Sequence, residues 1–182
     1  GDWSGHGSRG NEDGCVVAFS KSLSIMEKRN IGGISTDSLE EGAILPDGFI
    51  FVGNGNREGM DFPANLWRGS RDGLIVRTNF DLEIDIANTF ALGGLGDDYI
   101  MSVAAGAESY AVAGFSFSPS FGTLDWLGFG NRGNVDGTVV FYELPDQPAP
   151  LPPSLDMVRT FGGAGADTFR DVRQVADGFV AV

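Results

Sequence analysis

The first residues that could do chemistry form a glycine-rich stretch near the start of the chain. Residues 5–10, GHGSRG, fit the G-x-G-x-x-G pattern that holds a pyrophosphate when a helix opens directly on it. The residues that follow, CVVAF, are typical of a short strand, and a strand has no cluster of free N-terminal NH groups to hold phosphate. This stretch is therefore predicted to be a loop between strands and not a nucleotide site.

Aspartates recur at two positions of the chain. One recurring set consists of Asp13, Asp72 and Asp136, each followed by glycine and a short apolar run. A second recurring set consists of Asp37, Asp98 and Asp167. Such recurrence favours a structural task, in which the carboxylate accepts a hydrogen bond from the backbone NH two residues later in a turn.

Calcium binding is the alternative task for these oxygens, because Ca²⁺ takes several oxygen ligands. The candidate ligand sets are Asp2, Asn11 and Asp13, and Asn54, Asn56 and Glu58. Neither set has the spacing of an EF-hand loop. We therefore expect no cofactor, and calcium remains the alternative.

The chain has three tryptophans, Trp3, Trp67 and Trp126, and all of them precede a glycine- and arginine-containing loop. Tryptophan buries a large area, and its NH needs one acceptor, which favours a packing role between neighbouring structural units. Joint exposure of the three rings would instead indicate a binding face for a sugar or a peptide.

No catalytic motif stands out. The single histidine, His6, lies in the glycine loop, and the sequence has no G-x-S-x-G, H-E-x-x-H or C-x-x-C pattern. The single cysteine, Cys15, lies in an apolar run and is predicted to be a buried free thiol. We therefore expect a protein that is not an enzyme.

Composition narrows the classes of partner. The chain has 182 residues, enough for one domain, and 12 Lys+Arg against 25 Asp+Glu give a formal net charge of −13. A surface of that sign repels nucleic acid and anionic lipid. No apolar run reaches the length that crosses a membrane, so neither nucleic-acid binding nor membrane insertion is expected.

Internal repetition defines the fold. Residues 32–53, 93–114 and 162–182 align without gaps, and a second half-unit begins at residues 13, 72 and 136. The Asp-Gly pairs that mark predicted turns are Asp13-Gly14, Asp47-Gly48, Asp72-Gly73, Asp136-Gly137 and Asp177-Gly178. Together the halves make a unit of about sixty residues with four short strands, which is the size of a propeller blade.

The whole chain, residues 1–182, is thus predicted to be one repeat domain. Residues 1–31 form the second half of a blade, residues 32–92 and 93–161 form two full repeats, and residues 162–182 form the first half of another. A proline-rich hairpin at 145–156 lengthens the second full repeat. Strands such as FIFV are apolar on both faces, which indicates sheets that are covered on both sides.

The order GG-x-G-x-D, then DGFVAV, then a loop leading to an Asp-Gly and a VV-containing strand resembles the bacterial tandem β-propeller repeats, of SBBP-like or delta type, of secreted and cell-surface proteins. The chain departs from that pattern where Glu108-Ser109 replaces the Asp-Gly pair. The resemblance implies an all-β, β-propeller-like array of four-stranded antiparallel blades. It also implies an extracellular or cell-surface location in bacteria.

These observations predict a non-catalytic scaffold or ligand-binding module, with carbohydrate or protein as its ligand. About three units are fewer than a closed propeller uses, so we expect a fragment of a larger propeller or a homodimer that completes the ring. Two alternatives remain. One is a propeller-type glycoside hydrolase or lyase that uses carboxylates in the central channel, and the other is a calcium-stabilised structural spacer.

Overall fold

A computed structural model describes residues 7, 9–56, 61–62, 67–117, 124–144, 157–175 and 178–182. These residues are all-β, as predicted, and contain no α-helix, only two short 3-10 turns at Ile86–Asn88 and Leu124–Trp126. Accordingly, no helix of the described part is long and apolar enough to span a bilayer. The proline-rich segment 145–156 lies outside the described residues.

Twelve strands form four antiparallel sheets in chain order. Sheet 1 contains β1 (Gly14–Phe19) and β2 (Ile25–Ile31). Sheet 2 contains β3 (Ser38–Leu45), β4 (Gly48–Gly55), β5 (Asp72–Thr78) and β6 (Phe90–Leu92). Sheet 3 contains β7 (Asp98–Ala105), β8 (Ser109–Phe117), β9 (Val135–Glu143) and β10 (Met157–Phe161). Sheet 4 contains β11 (Val172–Val175) and β12 (Gly178–Ala181).

The two four-stranded sheets are built to the same register. Phe49 pairs with Thr78 in sheet 2, and the repeat-equivalent Tyr110 pairs with Tyr142 in sheet 3. The first strand of each sheet also shifts register at an equivalent place, between Leu39 and Glu41 and between Ile100 and Ser102. The repeat in the sequence is therefore a repeat in backbone geometry, including its bulge.

Both faces of sheet 3 are covered. Along β8, Tyr110 and Val112 belong to the core shared with sheet 2, whereas Ala111 and Ala113 pack with Val172 of sheet 4. All of these residues are nearly inaccessible to solvent. Burial on both faces explains why the strand is a continuous apolar run and does not alternate between apolar and polar residues.

Sheet 1 is less covered, and here one expectation was wrong. Cys15 on β1 is exposed and not buried. Its neighbours in the hairpin, Phe19 and Met26, are also exposed, with 54% and 68% of their surface accessible. Successive side chains of a strand point to opposite faces of the sheet, so Val16 packs against the core whereas Cys15 lies on the other face of this two-stranded sheet.

Candidate functional site

The first of the two recurring sets of aspartates holds the loop that precedes a strand in each repeat. The backbone NH groups of Arg9, Arg68 and Arg132 donate to Oδ2 of the Asp four residues later, at 2.6, 2.7 and 2.6 Å. The accepting residues are Asp13, Asp72 and Asp136. Each carboxylate thereby closes an Arg-Gly-x-x-Asp loop, and Asp72 and Asp136 themselves lie within β5 and β9.

The second recurring aspartates close the Gly-Gly loop in the same way. The NH groups of Gly33, Gly94 and Gly163 donate to Oδ2 of the Asp four residues later, at 2.8, 2.9 and 2.8 Å. The acceptors are Asp37, Asp98 and Asp167. These carboxylates satisfy backbone donors that no strand partner reaches, which is the usual task of aspartate in a turn.

Each Arg-Gly-x-x-Asp loop packs against the Gly-Gly loop that leads into the next sheet. We name the contacts junction 1 (residues 9–13 with 32–37), junction 2 (residues 68–72 with 93–98) and junction 3 (residues 132–136 with 162–167). In junction 2 a Cβ built on Gly69 would overlap the carbonyl oxygens of Gly94 and Gly96. Equivalent overlaps occur at Gly10 and Gly133. The loops approach so closely that only glycine fits.

Junctions 1 and 2 each contain one additional carboxylate, which binds both of the loops and is called the clip below. Asp61 pairs with Arg9 and accepts the NH of Gly32 at 3.2 Å. Asp125 repeats this arrangement, since its Oδ2 lies 3.1 Å from Nε of Arg68 and accepts the NH of Gly93 at 3.0 Å. Sequence reasoning missed this clip. The available signal was the Asp-Trp pair at 125–126, which matches the pair at 2–3.

The described tryptophans pack at these junctions. Trp126 is 1% exposed, and its Nε1 donates to Oδ1 of Asp98 at 2.7 Å. Trp67 is half-buried and meets Phe62 edge-on, with ring centroids 5.6 Å apart, but its Nε1 has no hydrogen-bond partner among the described residues. Trp3 lies outside the described residues. The two described rings therefore do not form a shared exposed platform.

Burial of these carboxylates alters their proton affinity. Burial raises the pKa of Asp72 from 3.8 to about 6, although the NH groups of Arg68 and Gly69 lower it and the nearby Asp98 raises it further. Burial is also the main cause that raises the pKa of Asp37 and of Asp125. Oδ1 of Asp72 is buried and has no hydrogen-bond partner among the described residues, as in Asp13, Asp37 and Asp136.

We expect Asp72→Asn to remove a pH dependence of stability. The folded state binds the Asp72 proton more tightly than the unfolded state, so this group's stabilisation is present below about pH 4 and is lost as the pH rises through about 6. The neutral amide keeps an oxygen for the Arg68 NH. The variant should therefore gain about 2 kcal/mol on the wild type between pH 4 and pH 7, measured by urea unfolding.

The exposed Asp81→Asn serves as the control for a simple change of net charge, and it should leave the difference from wild type flat across that pH range. A flat difference for Asp72→Asn as well would mean that Asp72 is not desolvated in the folded protein.

A second polar cluster, the inner-strand cluster, consists of Glu41, Ser102 and Asp171, which hold the same position in three repeats. Ser102 Oγ bonds Oε2 of Glu41 and lies 3.0 Å from Oδ1 of Asp171. Arg173 reaches Oε1 of Glu41 at 2.8 Å and Oδ1 of Asp171 at 3.1 Å. The cluster thus joins the first strands of sheets 2, 3 and 4.

The charge state of the cluster follows from its bonds. Burial acts to raise the pKa of Glu41, but hydrogen bonds from Ser102, Arg173 and the Val103 NH outweigh it, so the pKa is lowered. Glu41 therefore remains a carboxylate with both oxygens engaged. The arrangement suits a fixed link between strands better than the donation of a proton.

The calcium candidates are placed as follows. Asp2 and Glu58 lie outside the described residues, and Asn54 is engaged because its Oδ1 accepts the Ile100 NH at 2.8 Å. Asn11 is exposed, and Asn56 has a buried Oδ1 that no described residue bonds. Within the described ranges, no three His, Cys, Asp or Glu side chains are grouped so that they could hold a metal ion.

Comparison with known proteins finds no family model that matches this chain and no matching curated protein. The resemblance to propeller repeats therefore depends on the motifs and their order alone.

Proposed function

We propose that this chain is part of a β-propeller in which each four-stranded sheet is a blade, and that it serves as a non-catalytic scaffold or ligand-binding module. The observation that carries the proposal is the repetition of the junction. The same carboxylate-to-backbone bonds recur wherever one sheet meets the next. Repeat units that stack through one conserved contact form extended arrays with a broad surface of loops.

The inner-strand cluster supports the radial arrangement of such an array. In a propeller the first strands of all blades line the central channel. Here the first strands of sheets 2, 3 and 4 meet through Glu41, Ser102 and Asp171. Convergence of side chains at one repeat position is expected when the sheets are related by rotation about a common axis, and it supports that arrangement.

The bonds of the inner-strand cluster also favour a structural role over glycoside hydrolysis. A glycosidase needs one carboxyl group that keeps a proton at working pH and a second that acts as base or nucleophile. The pKa of Glu41 is lowered, and Arg173 forms ion pairs with Glu41 and Asp171, so Glu41 does not suit the acid role. The alternative enzyme remains worth testing because two carboxylates do face one serine.

A double-mutant cycle tests the propeller arrangement. Glu41→Gln and Ser102→Ala should show a coupling free energy of about 0.5–3 kcal/mol in urea unfolding, because the two side chains touch across sheets. Glu40→Gln is the matched control, since Glu40 is an exposed neighbour on β3 that bonds Ser38 and not Ser102. Coupling as small as in the control would contradict a common axis for these strands.

A second measurement tests the absence of catalysis. Wild-type chain and Glu41→Gln are incubated with a panel of chromogenic glycosides and with uronic-acid polymers, and release of chromophore or unsaturated product is followed. We expect no turnover from either protein. Turnover by the wild type that Glu41→Gln abolishes would make the chain an enzyme and overturn the proposal.

The extracellular or cell-surface location in bacteria belongs to the same proposal and is supported by the motif resemblance. Carbohydrate or protein ligands would meet the loops at the ends of the sheets, where binding surfaces of propellers are commonly built.

A further inference from the structure

A polar pocket lies beside β2, the last strand of sheet 1. Its volume is about 460 Å³, which falls within the range of about 300–1,000 Å³ that small-molecule sites occupy. We call it the β2 pocket, and its polar lining residues are Arg9, Glu27, Lys28, Arg29, Asn30 and Asp81. Four of these residues lie on β2, whereas Asp81 belongs to the turn between β5 and β6. The pocket is thus built by sheets 1 and 2 together.

The β2 pocket gathers cations on an acidic chain. Three of the 12 Lys+Arg residues line it, namely Arg9, Lys28 and Arg29, although the net charge of the chain is −13. The carboxylates of Glu27 and Asp81 line it as well. Positive and negative groups are therefore nearly balanced inside the pocket, and the lining offers both hydrogen-bond donors and acceptors.

The two arginines of the pocket share a single carboxylate. Asp61 pairs through Oδ2 with Arg9, and its Oδ1 lies 3.8 Å from Nη2 of Arg29. The same carboxylate also accepts the NH of Gly32. One carboxylate cannot occupy all the donors of two guanidinium groups, and the two side chains are 32% and 34% exposed. Both arginines therefore keep donors that a ligand can reach.

This mixed lining selects among classes of ligand. A carboxylate or phosphate group only accepts hydrogen bonds, and it would meet Glu27, Asp81 and the repulsion of an acidic chain. An ammonium group only donates, and it would meet the three cations. A hydroxyl group both donates and accepts, so a neutral ring that carries several hydroxyls satisfies cations and carboxylates together.

From these observations we propose that the β2 pocket binds a neutral sugar unit. Its hydroxyl oxygens accept hydrogen bonds from Arg9 and Arg29, and its hydroxyl protons are donated to Glu27 and Asp81. This inference rests on the proposed function as a ligand-binding module, and it names the class of ligand and the place where that ligand binds.

Titration with simple glycosides tests the proposal. The full chain is titrated with methyl glucoside, methyl galactoside and methyl mannoside, and binding is measured by calorimetry and by saturation-transfer nuclear magnetic resonance. We expect at least one of the three to bind. Arg29→Gln and Asp81→Ala should each weaken that binding by about tenfold, because each removes a charged partner of a sugar hydroxyl.

Arg159→Gln is the matched control. Arg159 pairs with Val139 in sheet 3 as Arg29 pairs with Val16 in sheet 1, so the two arginines hold the same register position. Arg159 is exposed and does not line the β2 pocket, and its variant should bind the glycoside as the wild type does. Urea unfolding of each variant confirms that folding is retained.

Charged sugars test the ligand class. Glucuronic acid and glucosamine carry one negative and one positive charge on a similar ring, and both should bind more weakly than the neutral glycoside. Three results would each overturn the proposal. These are no binding of any neutral glycoside, tighter binding of either charged sugar, and binding that survives both Arg29→Gln and Asp81→Ala.

These results separate the two proposals. A chain that binds no glycoside but still shows coupling between Glu41 and Ser102 would leave the propeller arrangement standing and refute only the sugar site. Absence of that coupling, together with glycoside binding that depends on Arg29, would refute the propeller arrangement and leave the sugar site standing.

Discussion

Trp126→Phe is expected to lower the free energy of unfolding by about 3 kcal/mol, whereas Trp67→Phe should change it by less than about 1 kcal/mol. Trp126 is fully packed, and its Nε1 donates to the buried carboxylate of Asp98. Phenylalanine removes a charge-assisted hydrogen bond and leaves unfilled volume. Trp67 Nε1 is buried and has no hydrogen-bond partner within the described part of the chain, so its removal should cost little.

Urea unfolding followed by far-ultraviolet circular dichroism measures both variants, since loss of an indole disturbs fluorescence. Both substitutions replace an indole by a phenyl ring beside a junction, and each therefore serves as the control for the other. Equal losses of stability would show that the hydrogen bond to Asp98 contributes nothing beyond packing. A larger loss at Trp67 would contradict the assignment of partners at both junctions.

The second large effect is expected at the glycines of the junction loops. Gly69→Ala should destabilise the fold by at least about 3 kcal/mol, because the new methyl group would overlap two backbone carbonyl oxygens and the whole loop would have to move. Backbone atoms cannot rotate away as a flexible side chain can. The strand pairing that follows at Asp72 would be displaced with the loop.

Gly130→Ala is the matched control, because no heavy atom lies within 4 Å of a Cβ built there. It should unfold at the same temperature as the wild type or slightly above it. Gly10→Ala and Gly133→Ala test whether the effect repeats at junctions 1 and 3. Normal thermal unfolding of Gly69→Ala would mean that the loops of adjacent sheets are further apart than the structure has them.

The junction carboxylates show how far a single sequence leads. Recurrence of Asp13, Asp72 and Asp136 pointed to a task of binding backbone NH groups, and the structure places each Oδ2 on such a group. The donor lies four residues before the aspartate and not two residues after it as expected, but it is still close in sequence, so local spacing carries the information. Asp61, which lies far along the chain from Gly32 and Arg9, carries no such local signal.

The inner-strand cluster illustrates the opposite case. Glu41, Ser102 and Asp171 differ in residue type, so a search for recurring residues passes over them, although they occupy one repeat position. They become neighbours only because the first strands of three sheets lie next to each other in the fold. Cys15 is similar, since an apolar run does not reveal whether another sheet covers each face of the strand.

By itself, the sequence determined the all-β class, the repeat unit and its loops, because strand alternation, turns and carboxylate caps depend on residues within a few positions of each other. The tertiary structure decided which sheets pack together, which carboxylates share a junction, which tryptophan finds an acceptor and where edges stay open. Those properties depend on contacts between residues tens of positions apart, and the closure of such contacts is governed by the packing of whole sheets and not by local spacing.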